Sequence, residues 1–243
     1  MKAMIEELKT SYVTVICVLM LILVGCGFVS SSGVEAGTQG AVTTVDQGFV
    51  SSHIIDVGDG TVVLIDVGSN ESAEELDAAL GELGKSREDI AAILLTHGHS
   101  DHVGGLAAFP DVTVYAHPEE RSIIEEESGG ETPDETFEHL EELTFGEKVF
   151  TIYHMPAHTP GSVAILVDDV LFLGDNAIAT RRGKVRLAPR VFGEDPDQNV
   201  DSLIALSEWV EAREAKVERM EFSHSGPLDG TQALHDFAAK ESE

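Results

Sequence analysis

The feature that most constrains this chain is a seven-residue stretch, Thr96-His97-Gly98-His99-Ser100-Asp101-His102, placed directly after an apolar run. The run, Ile90 to Thr96, is continuous enough to suit a strand buried on both faces. The stretch after it therefore forms a loop at a strand end, carrying three imidazoles and a carboxylate within six residues. Borderline metals such as zinc favour this mixture of nitrogen and oxygen donors. Four such groups at the tip of a hydrophobic strand are not expected of an ordinary polar surface loop.

Three more candidate ligands stand at comparable places. His158 lies in Met155-Pro156-Ala157-His158-Thr159-Pro160-Gly161-Ser162, Asp175 ends Leu171-Phe172-Leu173-Gly174-Asp175, and His224 follows Glu221-Phe222-Ser223. Each comes where an apolar segment stops and a turn containing Gly or Pro begins, so four strand ends are expected to share one edge of the fold. The two cysteines, Cys17 and Cys26, both lie in the first 26 residues, so a metal site in the body must use His and carboxylate.

The remaining sequence supplies strands and helices in alternation. Val50 to Val57 and Thr61 to Val67 flank Gly58-Asp59-Gly60, a hairpin pattern. Ser72 with Glu75 forms a capping-box pattern ahead of Ala73, Leu76, Ala79, Leu80 and Leu83 at helical spacing. Val112 to Ala116 is a predicted strand and Pro118 to Glu127 a predicted acidic surface helix. Val149 to His154, Val163 to Val167 and Val170 to Leu173 are predicted strands, the last two joined at Asp168-Asp169. Asn199 to Val210 suits an amphipathic helix, Val217 to Phe222 a strand and Gln232 to Lys240 a closing helix. Helices packed outside two sheets would satisfy this order.

The N-terminus has a different character. Ser11 to Val24 is an apolar run of 14 residues after a short polar start, below the ~20 needed to span a bilayer. It is expected to be a secretory signal over residues 1–25, and Leu23-Val24-Gly25-Cys26 resembles the bacterial lipobox, which would make Cys26 a lipidation site. Residues 26–40, rich in Gly and Ser, are the expected tether, and 41–243 the expected single domain. An exported, membrane-anchored protein facing the periplasm or exterior follows, whether the run is cleaved or kept as an anchor helix. With 44 acidic against 15 basic residues, the formal net charge is −29, which disfavours nucleic acid as a partner and favours a soluble surface.

The ordered set HxHxDH, a distant His in an HTPGS segment, Gly-Asp, and a late His beside glycine resembles the metallo-β-lactamase superfamily over nearly the whole chain from Val50. The resemblance implies an α/β fold, an αββα sandwich of two mixed sheets flanked by helices. It implies a first metal at His97, His99 and His158, a second at Asp101, His102 and His224, and Asp175 bridging them. Asp66 corresponds to the family's acidic residue that orients the ligand loop, although a strand-end turn former is the competing role. Two zinc ions, another divalent pair or a single iron are the cofactors to expect. With zinc, a shared hydroxide would attack an ester, thioester, lactone or related bond of a small-molecule substrate, with Asp101 orienting the nucleophile and passing a proton. The bridging Asp points towards glyoxalase II-like thioesterases and lactonases rather than β-lactamases. Only 19 residues follow His224, too few for the helical thiol-carrier region of glyoxalase II. The alternatives are a β-lactamase, a mononuclear-iron persulfide dioxygenase, and a non-catalytic metal-binding lipoprotein. His53, His117, His139, His154 and His235 are assigned to packing or surface, and Arg181-Arg182-Gly183-Lys184 to a solvated basic loop, with binding of an anionic substrate group near the metals as its competing role.

Overall fold

A computed structural model describes residues 33–188, 193–213 and 216–243. The expected signal, tether start and lipidation cysteine, including Cys26, lie outside them. Among the described residues no helix is long and apolar enough to cross a membrane.

The first sheet is built from β1 (Gly37–Gln39), β2 (Val42–Asp46), β3 (Ser51–Asp56), β4 (Val62–Ile65), β5 (Ile90–Leu94), β6 (Val114–Ala116) and β7 (Glu135–Thr136), in that spatial order. β1 to β4 pair antiparallel; β4 to β7 pair parallel. The second sheet contains β8 (Glu142–Phe145), β9 (Lys148–His154), β10 (Val163–Val167) and β11 (Val170–Phe172). A two-stranded hairpin of β12 (Ile178–Ala179) and β13 (Val185–Arg186) follows, and then β14 (Arg219–Phe222) and β15 (Ser225–Asp229) complete the sheet in the order β15-β14-β11-β10-β9-β8. Both sheets are mixed, since β11 and β14 pair parallel while the other neighbours in the second sheet are antiparallel.

Strand alternation sorts the apolar side chains into three layers. In the first sheet Ile54, Leu64 and Ile93 face one way, towards α1 (Glu74–Glu82), α2 (Ser100–Val103) and α3 (Arg121–Glu127), in a cluster with Leu76, Leu80, Val103 and Ile124. Their neighbours Ile55, Val63, Ile65, Ala92 and Leu94 face the other way and meet Phe150, Ile152, Val163, Ile165 and Phe172 of the second sheet. The second sheet's outer residues Ala164, Leu166, Leu171 and Met220 pack with Leu203, Leu206, Val210 and Leu234 of α4 (Pro196–Glu211) and α5 (Gln232–Glu241). This is the αββα sandwich. Because both faces of the central strands are buried, they read as continuous apolar runs, and each fully buried Leu, Ile or Phe contributes about 1.5–3 kcal/mol.

Several local expectations are corrected. The capping box expected at Ser72 and Glu75 does not form: helix α1 starts after Ala73, which sits at φ 55 without a side-chain cap. Asn70 takes over that end, accepting from the Ser72 backbone N–H and donating to Glu75 at 2.8 Å. The expected helix Pro118 to Glu127 is a 3₁₀ turn, Pro118–Glu120, continued by α3, and it is not wholly a surface element, because Glu120 and Ile124 are fully buried. Asp195 caps α4 by accepting from the N–H groups of Asp197 and Gln198, so the helix begins at Pro196, three residues ahead of the predicted start at Asn199.

Candidate metal centre

Chain direction brings the ligands to one edge. β5 runs parallel to β4 and β6, and its C-terminal end leads into Thr96 and His97. β9, β11 and β14 all run the same way, since β10 is antiparallel to β9 and β11 and β14 is parallel to β11. Their C-terminal ends deliver His158, Asp175 and His224. The two sheets are tied at this edge by Val163 N–H to the Thr96 carbonyl (2.9 Å) and Ser51 N–H to the Ser223 carbonyl (2.8 Å). Gly174, at φ 54, lets the Asp175 turn lie on Thr96, where an added Cβ would come within 2.9 Å of the Thr96 side chain.

His97, His99 and His158 converge. His99 Nδ1 lies 3.1 Å from His97 Nε2 and 3.0 Å from His158 Nε2. Their rings stand nearly perpendicular, at 81–85°, with centroids 4.7–4.8 Å apart. His97 Nδ1 lies 3.1 Å from the Thr96 hydroxyl, which itself donates to Asp66, so Nδ1 donates and Nε2 carries the lone pair. Burial lowers all three imidazoles, with neighbouring histidines adding to the effect at each; His158 falls to about 4. Three neutral nitrogens thus face one point.

Asp101, His102, His224 and Asp175 form the adjoining set. His224 Nε2 lies 3.0 Å from Asp175 Oδ2 and 3.3 Å from Asp101 Oδ2. His102 Nε2 is 3.3 Å from Asp175 Oδ1, and Asp175 Oδ2 is 3.5 Å from His158 Nε2, so Asp175 faces both sets. Burial pushes His224 down, but Asp175 and Asp101 outweigh it and lift it to about 10. His102 is raised for the same reason: burial opposes, while Asp175, Asp66 and Asp101 prevail. Conversely, burial would raise Asp101 and Asp175, yet the two imidazoles hold both carboxylates below the usual range.

Supporting groups orient the rings. Asp66 Oδ1 accepts from Thr96 N–H (2.8 Å), and Oδ2 accepts from the Thr96 hydroxyl (2.7 Å) and His102 Nδ1 (2.8 Å). That leaves His102 Nε2 aimed into the site. Asp66 does so from φ 58, a backbone region that short polar residues tolerate better than most. His224 Nδ1 donates to the Phe49 carbonyl (2.6 Å), again leaving Nε2 inward, and the Phe49 ring stacks on it at 6.0 Å.

The residues fit divalent cations. His102 Nε2 and Asp175 Oδ1 are buried and aimed into the site, 3.3 Å apart, with no aligned hydrogen bond to either among the described residues, a state that normally costs about 1–3 kcal/mol per group. The donor set is imidazole and carboxylate throughout, and three of the His/Asp groupings within ligand range fall here: His97–His99–His158, His97–His102–Asp175 and Asp101–His102–His224. All seven residues singled out in the sequence therefore come together. A fourth grouping, His117–Glu119–His154, has a different geometry: the rings stack in parallel at 3.9 Å and His154 Nε2 faces the Pro160 carbonyl at 2.9 Å. That fits the packing role assigned to these histidines, as do His53, buried edge-on against Phe172, and His235, bonded to Ser207.

Sequence reasoning missed Glu120 and Phe49. Glu120 lies among five other acidic residues between Glu119 and Glu131, and nothing in its local pattern marks it as buried. Phe49 precedes β3 and is 47% exposed, one of few large apolar side chains on the surface.

A sandwich of two mixed sheets with seven His and Asp donors at one edge defines a metalloprotein of αββα architecture. The chain belongs to the metallo-β-lactamase superfamily, whose family model matches residues 45–239. It is 31% identical over 160 residues to a hydroxyacylglutathione hydrolase of Shewanella sp. (strain ANA-3), covering 64% of this chain and 52% of that protein. It is 31% identical over 166 residues to a probable metallo-hydrolase of Bacillus subtilis (strain 168), covering 63% and 73%. The match spans about half the length of the hydroxyacylglutathione hydrolase. Among solved structures, a metallo-beta-lactamase from Pontibacter korlensis aligns with TM-score 0.67 at 22% identity, over 84% of this chain and 97% of that one. That likeness establishes the shared fold.

Proposed function

We propose that the protein is a dinuclear metallo-hydrolase, with zinc the expected metal, that cleaves an ester, thioester, lactone or related bond in a small molecule. The observation that carries this reading is the pairing of two donor sets, His97–His99–His158 and Asp101–His102–His224, across Asp175. Each set would hold one metal ion, and Asp175, whose oxygens face both sets, would be the residue they share. Bound divalent cations supply Lewis-acid polarisation and an activated water near neutral pH. The chain's own residues hold the geometry: Asp66 fixes the His102 tautomer, the Phe49 carbonyl fixes that of His224, and Asp101, partly exposed beside His224, is placed to accept or pass a proton. An aspartate at the shared position favours ester, thioester and lactone substrates over β-lactams, and the hydroxyacylglutathione hydrolase among the relatives points the same way. The apolar run before Cys26 carries the further proposal of export and lipid anchoring.

Elemental analysis of purified residues 27–243 tests the centre, followed by a screen of thioesters, lactones and β-lactams. Close to two zinc ions per chain with turnover of an ester-like substrate is the expected result. One iron per chain would put oxidation of persulfides ahead, and no metal after zinc reconstitution would overturn the ligand assignment.

A further inference from the structure

We infer that Glu120 is a positioning residue that sets the metal affinity of the His97–His99–His158 set, an inference that rests on the dinuclear reading above. Its side chain is fully buried, and among the described residues its hydrogen bonds go to Gly98, Thr159 and Gly161 rather than to any of the seven donors. Instead it clamps the two loops that carry three of them. Oε2 accepts from Gly98 N–H at 2.6 Å, between His97 and His99. Oε1 accepts from the Thr159 hydroxyl at 2.7 Å and from Gly161 N–H at 2.7 Å, just beyond His158. One loop ends β5 of the first sheet and the other ends β9 of the second, so a single carboxylate spans the layers at the site.

The approach is as close as backbone allows. A Cβ on Gly98 would meet Glu120 Oε2 at 2.9 Å, and one on Gly161 would meet Glu120 Cγ and Oε1 at 2.9 Å. Glycine at both positions is therefore part of the clamp. Burial raises the Glu120 carboxyl, opposed by the three donors, and an acceptor on both oxygens is what those donors require. All three partners donate, which gives the site a chemical polarity that geometry alone would not reveal. A glutamine can satisfy only one side. With its oxygen kept on Thr159 and Gly161, its amide NH₂ meets Gly98 N–H donor to donor, and the tie to the His97–His99 loop is lost. Among the described residues Glu120 makes no such tie to the loops of the other set, where the rings of His102 and His224 are fixed by Asp66 and the Phe49 carbonyl.

The test is Glu120→Gln, with zinc dissociation constants measured by chelator competition on full-length metal-free protein and thermal melting of the same preparation. His158→Ala identifies which of the two constants belongs to the three-histidine set. The expected result is a rise of about 10- to 100-fold in that constant, with the other changed less than about threefold. Both constants unchanged, or both weakened equally in step with a lower metal-free Tm, would overturn the inference and leave Glu120 a scaffold residue. Should Glu120→Gln not fold, Thr159→Val removes one donor from the His158 side only. It is expected to weaken the same set severalfold, and an unchanged constant would again overturn the inference. Wild-type protein that takes up no zinc would defeat the metal-centre reading itself, whereas two bound zinc ions with an unaltered variant defeat this inference alone.

Discussion

Loading the metal-free protein with two divalent ions at pH 7.5 should expel two to three protons per chain, two of them from ligand imidazoles, because the two donor sets start in opposite protonation states. His97, His99 and His158 are held below the ordinary histidine range, His158 at about 4, so they offer bare nitrogens and release nothing. His102 is raised well above that range and His224 to about 10, by Asp175 and the carboxylates beside them against the opposing effect of burial. Both are cationic at pH 7.5 and must lose a proton to become ligands. Each proton displaced makes the apparent association constant rise tenfold per pH unit, so the set containing His102 and His224 should gain about 100-fold per unit from near pH 7 towards pH 9. The three-histidine set should be nearly flat over the same range. Metal-free stability runs the opposite way. Raised folded-state pKa values stabilise fully below the unfolded value of 6.5, and that contribution is lost as pH climbs towards about 10. The metal-free Tm should therefore fall across the window in which metal affinity rises. Titration calorimetry in buffers of different ionisation enthalpy gives the proton count from the slope. A coordinated water that ionises adds at most one, so two to three are expected. Fewer than one proton, or equal pH slopes for both metals, would refute the assignment of charge to His102 and His224.

Two further outcomes follow from named contacts. Asp66→Ala removes the acceptor for Thr96 N–H, the Thr96 hydroxyl and His102 Nδ1 and leaves alanine at φ 58, so a loss of about 2–4 kcal/mol in thermal melts is expected, with Asp66→Asn losing less because asparagine tolerates that backbone; unchanged metal affinity in Asp66→Ala would show that the His102 orientation does not matter. Phe49→Ala keeps the carbonyl that holds His224 but deletes the half-exposed ring beside it, so KM for substrates with apolar groups should rise up to roughly tenfold with kcat little altered, and identical KM changes for short and long acyl groups would exclude Phe49 from substrate contact.

Residue type made the donors legible in the sequence. Imidazoles and carboxylates at the ends of apolar runs are unusual, and four such runs ending alike pointed to a common edge that the strand directions then produced. The central strands were equally visible, because β4, β5, β10 and β11 are apolar on both faces. Short edge strands were not: β1, β7 and β8 are largely exposed, and their residues carry little hydrophobic pattern to separate them from loops. The Ser72–Glu75 capping pattern failed because Asn70, two residues earlier, satisfies the same groups through its own side chain.

What sequence could not show is how the centre is held, since that depends on contacts between residues far apart in the chain. Asp66 reaches His102 across 36 positions, Glu120 reaches Gly161 across 41, and His224 reaches Phe49 across 175. Of the three holders only Asp66 is marked in the sequence, through the family resemblance; Phe49 carries no local signal, and Glu120 is hidden in an acidic surface segment. Their division of labour is nonetheless regular. A carboxylate and a backbone carbonyl take the outer ring nitrogens of His102 and His224, the two imidazoles that the aspartates keep protonated. The neutral set has Thr96 behind His97 and no such partner on His158 Nδ1 among the described residues, so its shape is carried by the backbone of its two loops. A buried acceptor for those loops' N–H groups is then the economical way to fix three neutral rings without charging any of them, and Glu120 occupies that position.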